Sequence, residues 1–217
     1  MNYLQIKCKP LDDLLGGGIE SGSITMIYGE AGSGKTNICL QASRECVANG
    51  KKVAYIDSGG VSLERLKQMC KENDYTTIFE NILFFNPSSF EEQEEMIKKA
   101  FKIKDVELII LDTFNSFYCL MLEKDERFAD RSLNRQITEL QIDAMEKNVY
   151  VVITGQVYSD QKGDIKPFAG RFIKHMIKTM VKLEKIDSET RQATIIKHKS
   201  QPKGKKVIFK ITAKGLE

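Results

Sequence analysis

The sequence of 217 residues lacks the features that would place it in a membrane or mark it for secretion. No hydrophobic run approaches the roughly 18 to 20 residues of a membrane span. The start, MNYLQIKCKPLDDLLGG, does not have the charged-then-apolar order of a secretory signal. Hydrophobic residues make up 41% and charged residues 29%, as in ordinary globular proteins. We therefore expect a cytoplasmic protein, with a length that suits one domain.

The sequence is also poor in the residues that bind zinc or form disulfides. Its five cysteines are odd in number and never spaced as C-x-x-C, and its two histidines, His175 and His198, lie far apart in sequence. This pattern argues against a zinc site or a disulfide framework, and it predicts free, mostly buried thiols.

Most of the chain has no excess of positive charge, because the basic residues are concentrated in its C-terminal segment. From Lys174 onward there are 12 Lys and Arg against 4 Asp and Glu, whereas the first 173 residues carry a net charge of −5. Such a basic C-terminal segment is typical of a surface that contacts a polyanion such as DNA. A solvated lysine-rich face is the second interpretation, and the charge count does not decide between the two.

Apolar runs alternate with helix-patterned stretches, which predicts an α/β fold with a mostly parallel sheet. The predicted strands are SITMIYG, VAYID, NILFFN, VELIILD and VYVVITG, and the predicted helices are about 34–48, LERLKQMCKEN, PSSFEEQEEMIKKAF and about 130–147. Two strand-like runs joined at DSET, followed by KVIFKIT, predict antiparallel C-terminal strands at one edge of the sheet. We expect residues 1–217 to form a single domain.

A phosphate-binding loop (P-loop, or Walker A motif) follows the first of these strands. GEAGSGKT matches G-x-x-x-x-G-K-[ST] in full, and it lies between a hydrophobic strand and a helix. Its backbone N–H groups would point at phosphate oxygens, and the helix N-terminus would add partial positive charge. Lys35 would reach the β- and γ-phosphates of ATP, and Thr36 would bind Mg²⁺. The predicted nucleotide-binding residues of this segment are Gly29, Glu30, Ala31, Gly32, Ser33, Gly34, Lys35, Thr36 and Asn37.

Two strand ends complete the predicted site. Asp112 ends the strand LIILD and would assist the Mg²⁺, since the carboxyl ends of parallel strands lie at the same edge of the sheet as the loop. An ATPase also needs a group that orients or deprotonates the attacking water. The end of the neighbouring strand is a natural position for that group, and the sequence there is VAYIDSGGVS.

The segment LDDLLGGGIESGSITMIYGEAGSGKT, residues 11–36, closely resembles the opening of the RecA-like recombinase core. The resemblance continues to the end of the chain through YID, ERL, LIILD, NRQ, ITGQV and FKITAKG. It implies a RecA-like P-loop NTPase core with helices on both faces of the sheet. Only about ten residues precede this core, so we expect residues 1–10 to be a short lead and no separate N-terminal DNA-binding domain. The chain is most similar to the RadB family, short archaeal paralogues regarded as ATP- and DNA-binding accessory proteins of DNA repair and recombination.

The resemblance implies roles for further residues. Arg65 would stack its guanidinium on adenine, although a surface helix arginine is the alternative. Gln156 would sense the γ-phosphate and form the catalytic set with Lys35 and Asp112, although a strand-end cap is the alternative. The second DNA-binding loop would be Tyr158 to Arg171, with single-stranded DNA as its ligand.

In the recombinase, one residue lies over the ATP that is bound to a neighbouring subunit. Lys197 corresponds to that residue, and Lys199 is close by. A cationic contact in trans is therefore one possible use of Lys197.

The chain departs from the recombinase pattern after YID. The family has threonine, glutamate and then a glycine-containing turn, whereas this chain has Asp57, Ser58, Gly59 and Gly60. On the simplest alignment the water-activating glutamate is deleted. Glycine cannot take a proton, and loss of a general base typically costs about 10²- to 10⁴-fold in rate. We expect ATP binding with weak or absent hydrolysis.

Four functional hypotheses follow. The first is an ATP- and DNA-binding accessory protein of recombination, in which ATP acts mainly as a conformational ligand. The second is a DNA-stimulated ATPase that forms filaments on single-stranded DNA, which the missing glutamate argues against. The third is a phosphotransferase of the same superfamily, which would need a carboxylate pair after YID and an acceptor site, and neither is found. The fourth is a purely structural partner, for instance a mediator that docks on the recombinase, and a homo-oligomer is a separate alternative for its assembly.

Overall fold

The computed structural model describes residues 2–70, 74–159, 165–167 and 171–217. The strands of this part are β1 (Tyr3–Leu4), β2 (Ile19–Glu20), β3 (Ile24–Gly29), β4 (Lys52–Asp57), β5 (Ile82–Phe85), β6 (Val106–Asp112), β7 (Tyr150–Gly155), β8 (Val157–Ser159), β9 (Ile165–Pro167), β10 (Thr179–Lys185), β11 (Thr190–Lys197), β12 (Lys206–Thr212) and β13 (Gly215–Leu216). The helices are α1 (Lys9–Leu14), α2 (Lys35–Ala48), α3 (Leu63–Met69), α4 (Tyr75–Glu80), α5 (Phe90–Ala100), α6 (Ser116–Leu122), α7 (Glu126–Lys147) and α8 (Arg171–Met176).

One large sheet carries the fold, with the strand order β13-β12-β11-β10-β3-β7-β6-β4-β5 among the described residues. The six strands from β10 to β5 are parallel to one another. The last three strands are antiparallel and follow the hairpin between β10 and β11. The predicted mostly parallel sheet with antiparallel C-terminal strands is therefore confirmed.

Helices cover both faces of the sheet because the parallel strands are apolar on both sides. In β4, Tyr55 packs with the helices α1 to α4, and the adjacent Ile56 packs with α5 to α8. In β6, Ile110 packs in the first of these layers and the adjacent Leu111 packs in the second. Strand residues point alternately to opposite faces, and an uninterrupted apolar run therefore builds both layers.

Two helices have bounds that differ from the prediction. α7 begins at Glu126 rather than near residue 130, because the side chain of Asp125 accepts a hydrogen bond from the backbone N–H of Phe128 and caps the helix. α3 ends at Met69, because Cys70 has an extended backbone. Ser89 caps α5, because its side chain accepts a hydrogen bond from the backbone N–H of Glu92. Within the described ranges, no helix has the length and apolar character needed to cross a membrane.

Candidate nucleotide-binding site

A cavity of about 450 Å³ lies at the carboxyl edge of the parallel strands. The strand order sets the ends of β3, β7, β6 and β4 side by side, and this brings sequence-distant polar groups together. The cavity is lined by Gly29, Ala31, Gly32, Lys35, Thr36, Asp57, Gly59, Gly60, Val61, Asp112, Thr113, Gln156 and Val157. Lys35, Asp112 and Gln156, the three predicted catalytic residues, thus share one cavity.

The loop between β3 and α2 has the backbone that a phosphate-binding turn requires. Gly32 and Gly34 have positive φ angles of 73° and 100°, which side chains other than glycine rarely adopt. Lys35 begins α2, and its Nζ donates hydrogen bonds to the carbonyls of Gly29 at 2.8 Å and Glu30 at 2.9 Å. Burial lowers the pKa of Lys35, and the nearby Asp112 opposes that shift. The lysine therefore lies along the loop, with its ammonium beside the cavity.

Asp112 is held by three hydroxyl groups. Its Oδ2 accepts hydrogen bonds from Thr36 Oγ1 at 2.7 Å and from Tyr55 OH at 2.8 Å, and its Oδ1 accepts one from Thr154 Oγ1 at 2.5 Å. Burial is the largest cause of the raised pKa of Tyr55, so the tyrosine stays a hydrogen-bond donor. The donor set of Thr36 and Asp112 consists of oxygen atoms in direct contact, which suits a hard cation such as Mg²⁺ completed by water and phosphate. These residues fit the predicted ion, and no cluster of three His, Cys, Asp or Glu elsewhere in the described ranges offers another site.

At the corner after β4, the carboxylate of Asp57 accepts hydrogen bonds from the backbone of its own turn. Its Oδ1 accepts hydrogen bonds from the backbone N–H groups of Gly59 at 3.0 Å and Gly60 at 2.9 Å, and its Oδ2 accepts one from Val61 at 2.6 Å. The side chain is buried at 5% exposure. A carboxylate that stabilises its own turn in this way is poorly placed to take a proton from water. The residues at the corner thus supply no free base.

Ser58 joins this corner to the end of β6. Its Oγ donates to the carbonyl of Thr113 at 2.7 Å, accepts from the N–H of Thr113 at 3.0 Å, and lies 3.1 Å from Ser116 Oγ. The peptide bond between Asp112 and Thr113 is cis. Ser58 therefore holds the residue that follows Asp112, although sequence reasoning had assigned it no role.

Gln156 is positioned by Asn115. The backbone N–H of Gln156 donates to Asn115 Oδ1 at 2.9 Å, and Asn115 Nδ2 donates to the carbonyl of Gln156 at 3.2 Å. Asn115 is fully buried, whereas the side chain of Gln156 is exposed and its Nε2 lies 3.5 Å from Ser116 Oγ. Asn115 was not predicted, and its position three residues after Asp112 is the one sequence signal for it.

Arg65 does not line the cavity. Its Nε donates to Asn37 Oδ1 at 2.6 Å, its Nη2 to the carbonyl of Thr212 at 2.7 Å, and its Nη1 to that of Ala213 at 3.2 Å. Burial lowers the pKa of Arg65. These hydrogen bonds fix the position of the guanidinium, and a planar guanidinium can also stack on an aromatic ring. The predicted adenine contact stays a prediction, and the structure adds that α2, α3 and the end of β12 meet at this residue.

The predicted DNA-binding regions are described only in part. Residues 160–164 and 168–170 of the loop from Tyr158 to Arg171 lie outside the described residues, and β8 pairs antiparallel with β9 beside Gln156. Lys197 donates to the carbonyl of His175 at 3.2 Å, and Lys199 forms an ion pair with Glu20 at 2.9 Å. Both lysines lie near the amino-terminal ends of the parallel strands, and the structure therefore does not bring them to the cavity of the same chain.

Comparisons with known proteins agree with this geometry. The family model described as Rad51 matches residues 2–217. The DNA repair and recombination protein RadB of Methanococcoides burtonii is 46% identical over 214 residues, which are 96% of this chain and 95% of that protein. The RadB protein of Archaeoglobus fulgidus is 37% identical over 215 residues, with the same two coverages of 96% and 95%. A crystal structure of the RadB recombinase superposes with a TM-score of 0.85 at 31% identity and covers 99% of this chain and 98% of that one.

Proposed function

This chain belongs to the Rad51 family, among the RadB proteins, and on that premise we propose that it is an ATP- and DNA-binding accessory protein of DNA repair and recombination. ATP with Mg²⁺ acts mainly as a conformational ligand and is hydrolysed slowly or not at all. The observation that carries the proposal is the corner after β4, where the carboxylate of Asp57 is bound by three backbone N–H groups and the next three residues, Ser58, Gly59 and Gly60, supply no other acid.

Support for nucleotide binding comes from the loop and its partners. Lys35 presents an ammonium beside the cavity, and the contact of Thr36 with Asp112 suits Mg²⁺. In this proposal the metal ion neutralises phosphate charge, as it does in P-loop proteins. The same residues bind the nucleotide whether or not water is activated, since binding and general-base catalysis rest on different groups.

A conformational role needs a path from the cavity to another surface. Gln156 lines the cavity, and its main chain, held by Asn115, leads directly into β8 and the β8–β9 hairpin. A ligand shifts a conformational equilibrium by the difference in its affinity for the two states. We propose that a γ-phosphate in contact with Gln156 favours one arrangement of this hairpin, which belongs to the proposed DNA-binding loop. A recombinase, other recombination proteins or further copies of this chain are proposed as protein partners.

The decisive experiment measures binding and hydrolysis side by side. Purified protein would be incubated with ATP and Mg²⁺, with and without single-stranded DNA, and scored for nucleotide affinity and phosphate release. The matched control is Lys35→Ala, which removes the ammonium beside the loop. Saturable ATP binding with phosphate release at the level of Lys35→Ala is the expected result. Brisk DNA-stimulated release that disappears in Lys35→Ala would instead identify a recombinase-like ATPase.

A further inference from the structure

Arg191, on β11, lies behind the phosphate-binding loop. Its Nε donates a hydrogen bond to the carbonyl of Gly32 at 3.1 Å, across 159 positions of the sequence. Its Nη1 donates to the carbonyls of Asp187 at 2.8 Å and Thr190 at 2.9 Å. The residue is 6% exposed. One buried guanidinium therefore joins the phosphate-binding loop to the turn between β10 and β11.

The positive charge of this guanidinium is balanced only in part, because the nearby carboxylate of Asp187 is exposed and forms no ion pair with it. Its hydrogen-bond partners are neutral carbonyl oxygens, and no carboxylate in the described ranges forms an ion pair with it. The pKa of Asp187 is lowered mainly by backbone hydrogen bonds from Thr190 and Glu189 and to a smaller extent by Arg191. The carboxylate of Asp187 is thus used by its own turn. A buried charge without a partner is costly, and an anion close by would reduce that cost.

The loop is where such an anion would bind. Gly32 has a positive φ of 73°, and the direction of its carbonyl is coupled to the direction of the following N–H groups of the loop. Gly34 leaves no room on the same side, because an added Cβ would lie 2.8 Å from Ile211 Cδ1 and 3.9 Å from Arg191 Cγ. The side chain of Arg191 thus lies beside the loop, and its guanidinium donates to the carbonyl of Gly32.

We propose that Arg191 is a positioning residue and, beside the partly buried Lys35, a second cation of the phosphate site. It fixes the peptide at Gly32 and adds positive potential behind the loop, so that it favours nucleotides with more phosphate groups. This inference rests on the proposed ATP binding. Arg191 acts through the loop backbone and needs no direct contact with the nucleotide.

The test compares Arg191→Gln with the wild-type protein for AMP, ADP, ATP and inorganic tripolyphosphate, measured by competition. We expect the affinity for ATP and tripolyphosphate to fall about tenfold, which is the effect of losing one charge-assisted hydrogen bond, here the one from Arg191 to the loop. The affinity for ADP should fall less, and the affinity for AMP should hardly change. Arg127→Gln, which removes an exposed arginine from α7, is the matched control and should leave all four affinities unchanged. Arg191→Lys keeps the positive charge but loses the planar set of N–H donors of the guanidinium, so an intermediate loss of ATP affinity is expected.

The outcomes separate this inference from the proposed function. If the wild-type protein binds no ATP, the proposed function fails. If it binds ATP and both Arg191 variants keep the wild-type ratio of AMP to ATP affinity, Arg191 is only structural and the inference fails. Unfolding midpoints show whether Arg191→Gln folds; if it does not, the affinity ratio in Arg191→Lys decides.

Discussion

Gly59 and Gly60 lie beside the point where, on the simplest alignment with the recombinase pattern, the catalytic glutamate is deleted, and the two glycines differ in what they tolerate. An added Cβ at Gly59 would meet only the carbonyl of Asp112, at 3.9 Å, which is an ordinary contact. Gly60 also has open space, but its φ of 82° strains any other residue. Both line the cavity. Gly59 is therefore the position at which a missing general base can be restored.

We predict that Gly59→Glu increases ATP hydrolysis. The new carboxylate would face the cavity beside Asp112, and a rise of about 10- to 100-fold is expected, at or below the lower limit of the roughly 10²- to 10⁴-fold that a well-placed general base supplies. Steady-state phosphate release with ATP, Mg²⁺ and single-stranded DNA measures the effect.

The control for this prediction is Gly59→Gln, which has the same size and no base. Gly60→Glu adds the same acid at the strained position and should lower stability without raising the rate. Equal rates in Gly59→Glu and Gly59→Gln would show that the missing acid is not what limits hydrolysis.

Asp57 is predicted to be a structural residue. Asp57→Asn leaves one oxygen to accept hydrogen bonds where the carboxylate accepts three. The free energy of unfolding should fall by about 1 to 3 kcal/mol, the range for a buried group that loses hydrogen bonds. Denaturant unfolding measures this change. A fall in ATP turnover with unchanged stability would instead assign Asp57 a role as base.

At the scale of elements, α2 connects the two ends of the chain to the phosphate site. Gln41 on α2 is 1% exposed; its Nε2 donates to the carbonyl of Ile6 at 2.9 Å, and its Oε1 accepts from the N–H of Leu216 at 2.7 Å. One amide side chain thus fastens the N-terminal segment and β13 to the helix that begins at Lys35.

We predict that Gln41→Leu lowers the free energy of unfolding by about 2 to 4 kcal/mol, because it leaves buried backbone groups of Ile6 and Leu216 without partners. Denaturant unfolding checks the value. Gln5→Leu is the matched control, since Gln5 is exposed and bonds only to Lys7 in the described residues. An unfolding midpoint equal to that of the control would contradict this role.

The second prediction at the scale of elements concerns Asn115, which holds the junction between β7 and β8. Asn115→Ala removes both hydrogen bonds to the main chain of Gln156. We expect ATP affinity within about threefold of wild type, since the bonds to phosphate and Mg²⁺ come from other residues. The increase in DNA affinity caused by ATP should be reduced, which DNA titrations with and without ATP would reveal. An unchanged increase would show that the junction does not transmit the signal.

At the scale of the whole molecule, the charge asymmetry becomes a surface property. Three lysines near the end of the chain are exposed, namely Lys203, Lys206 and Lys210. Lys206 and Lys210 lie on β12, in the antiparallel part of the sheet. This is the part of the sheet farthest from β5, so these three lysines lie at one end of the sheet.

We predict that replacing Lys203, Lys206 and Lys210 by Gln weakens DNA binding to a similar degree for all sequences. Each phosphate contact on single-stranded DNA contributes about 0.7 to the slope of log affinity against log salt, so loss of three contacts would reduce the slope by about two units. Titrations at several salt concentrations measure it. A slope equal to the wild-type value would favour a solvated face.

The sequence alone determined the P-loop motif, the strand-end position of Asp112 and the α/β class, whereas the absent glutamate was inferred from the resemblance to recombinases. These depend on local patterns: an apolar run, a glycine loop and a helix follow one another within a few tens of residues, and the geometry of such a unit is set by backbone chemistry. The resemblance to recombinases added Arg65 and Gln156, whose roles stay predictions.

Only the tertiary structure decided which groups surround these residues. The use of Asp57 as a turn carboxylate, the clamp of Asn115 on Gln156 and the contact of Arg191 with Gly32 all join segments by specific side-chain geometry. Arg191 reaches the loop because β10 pairs with β3 and carries β11 beside it. Strand order is set by the packing of the whole sheet, because each strand is apolar enough to pair with several others, and the local sequence does not contain that choice.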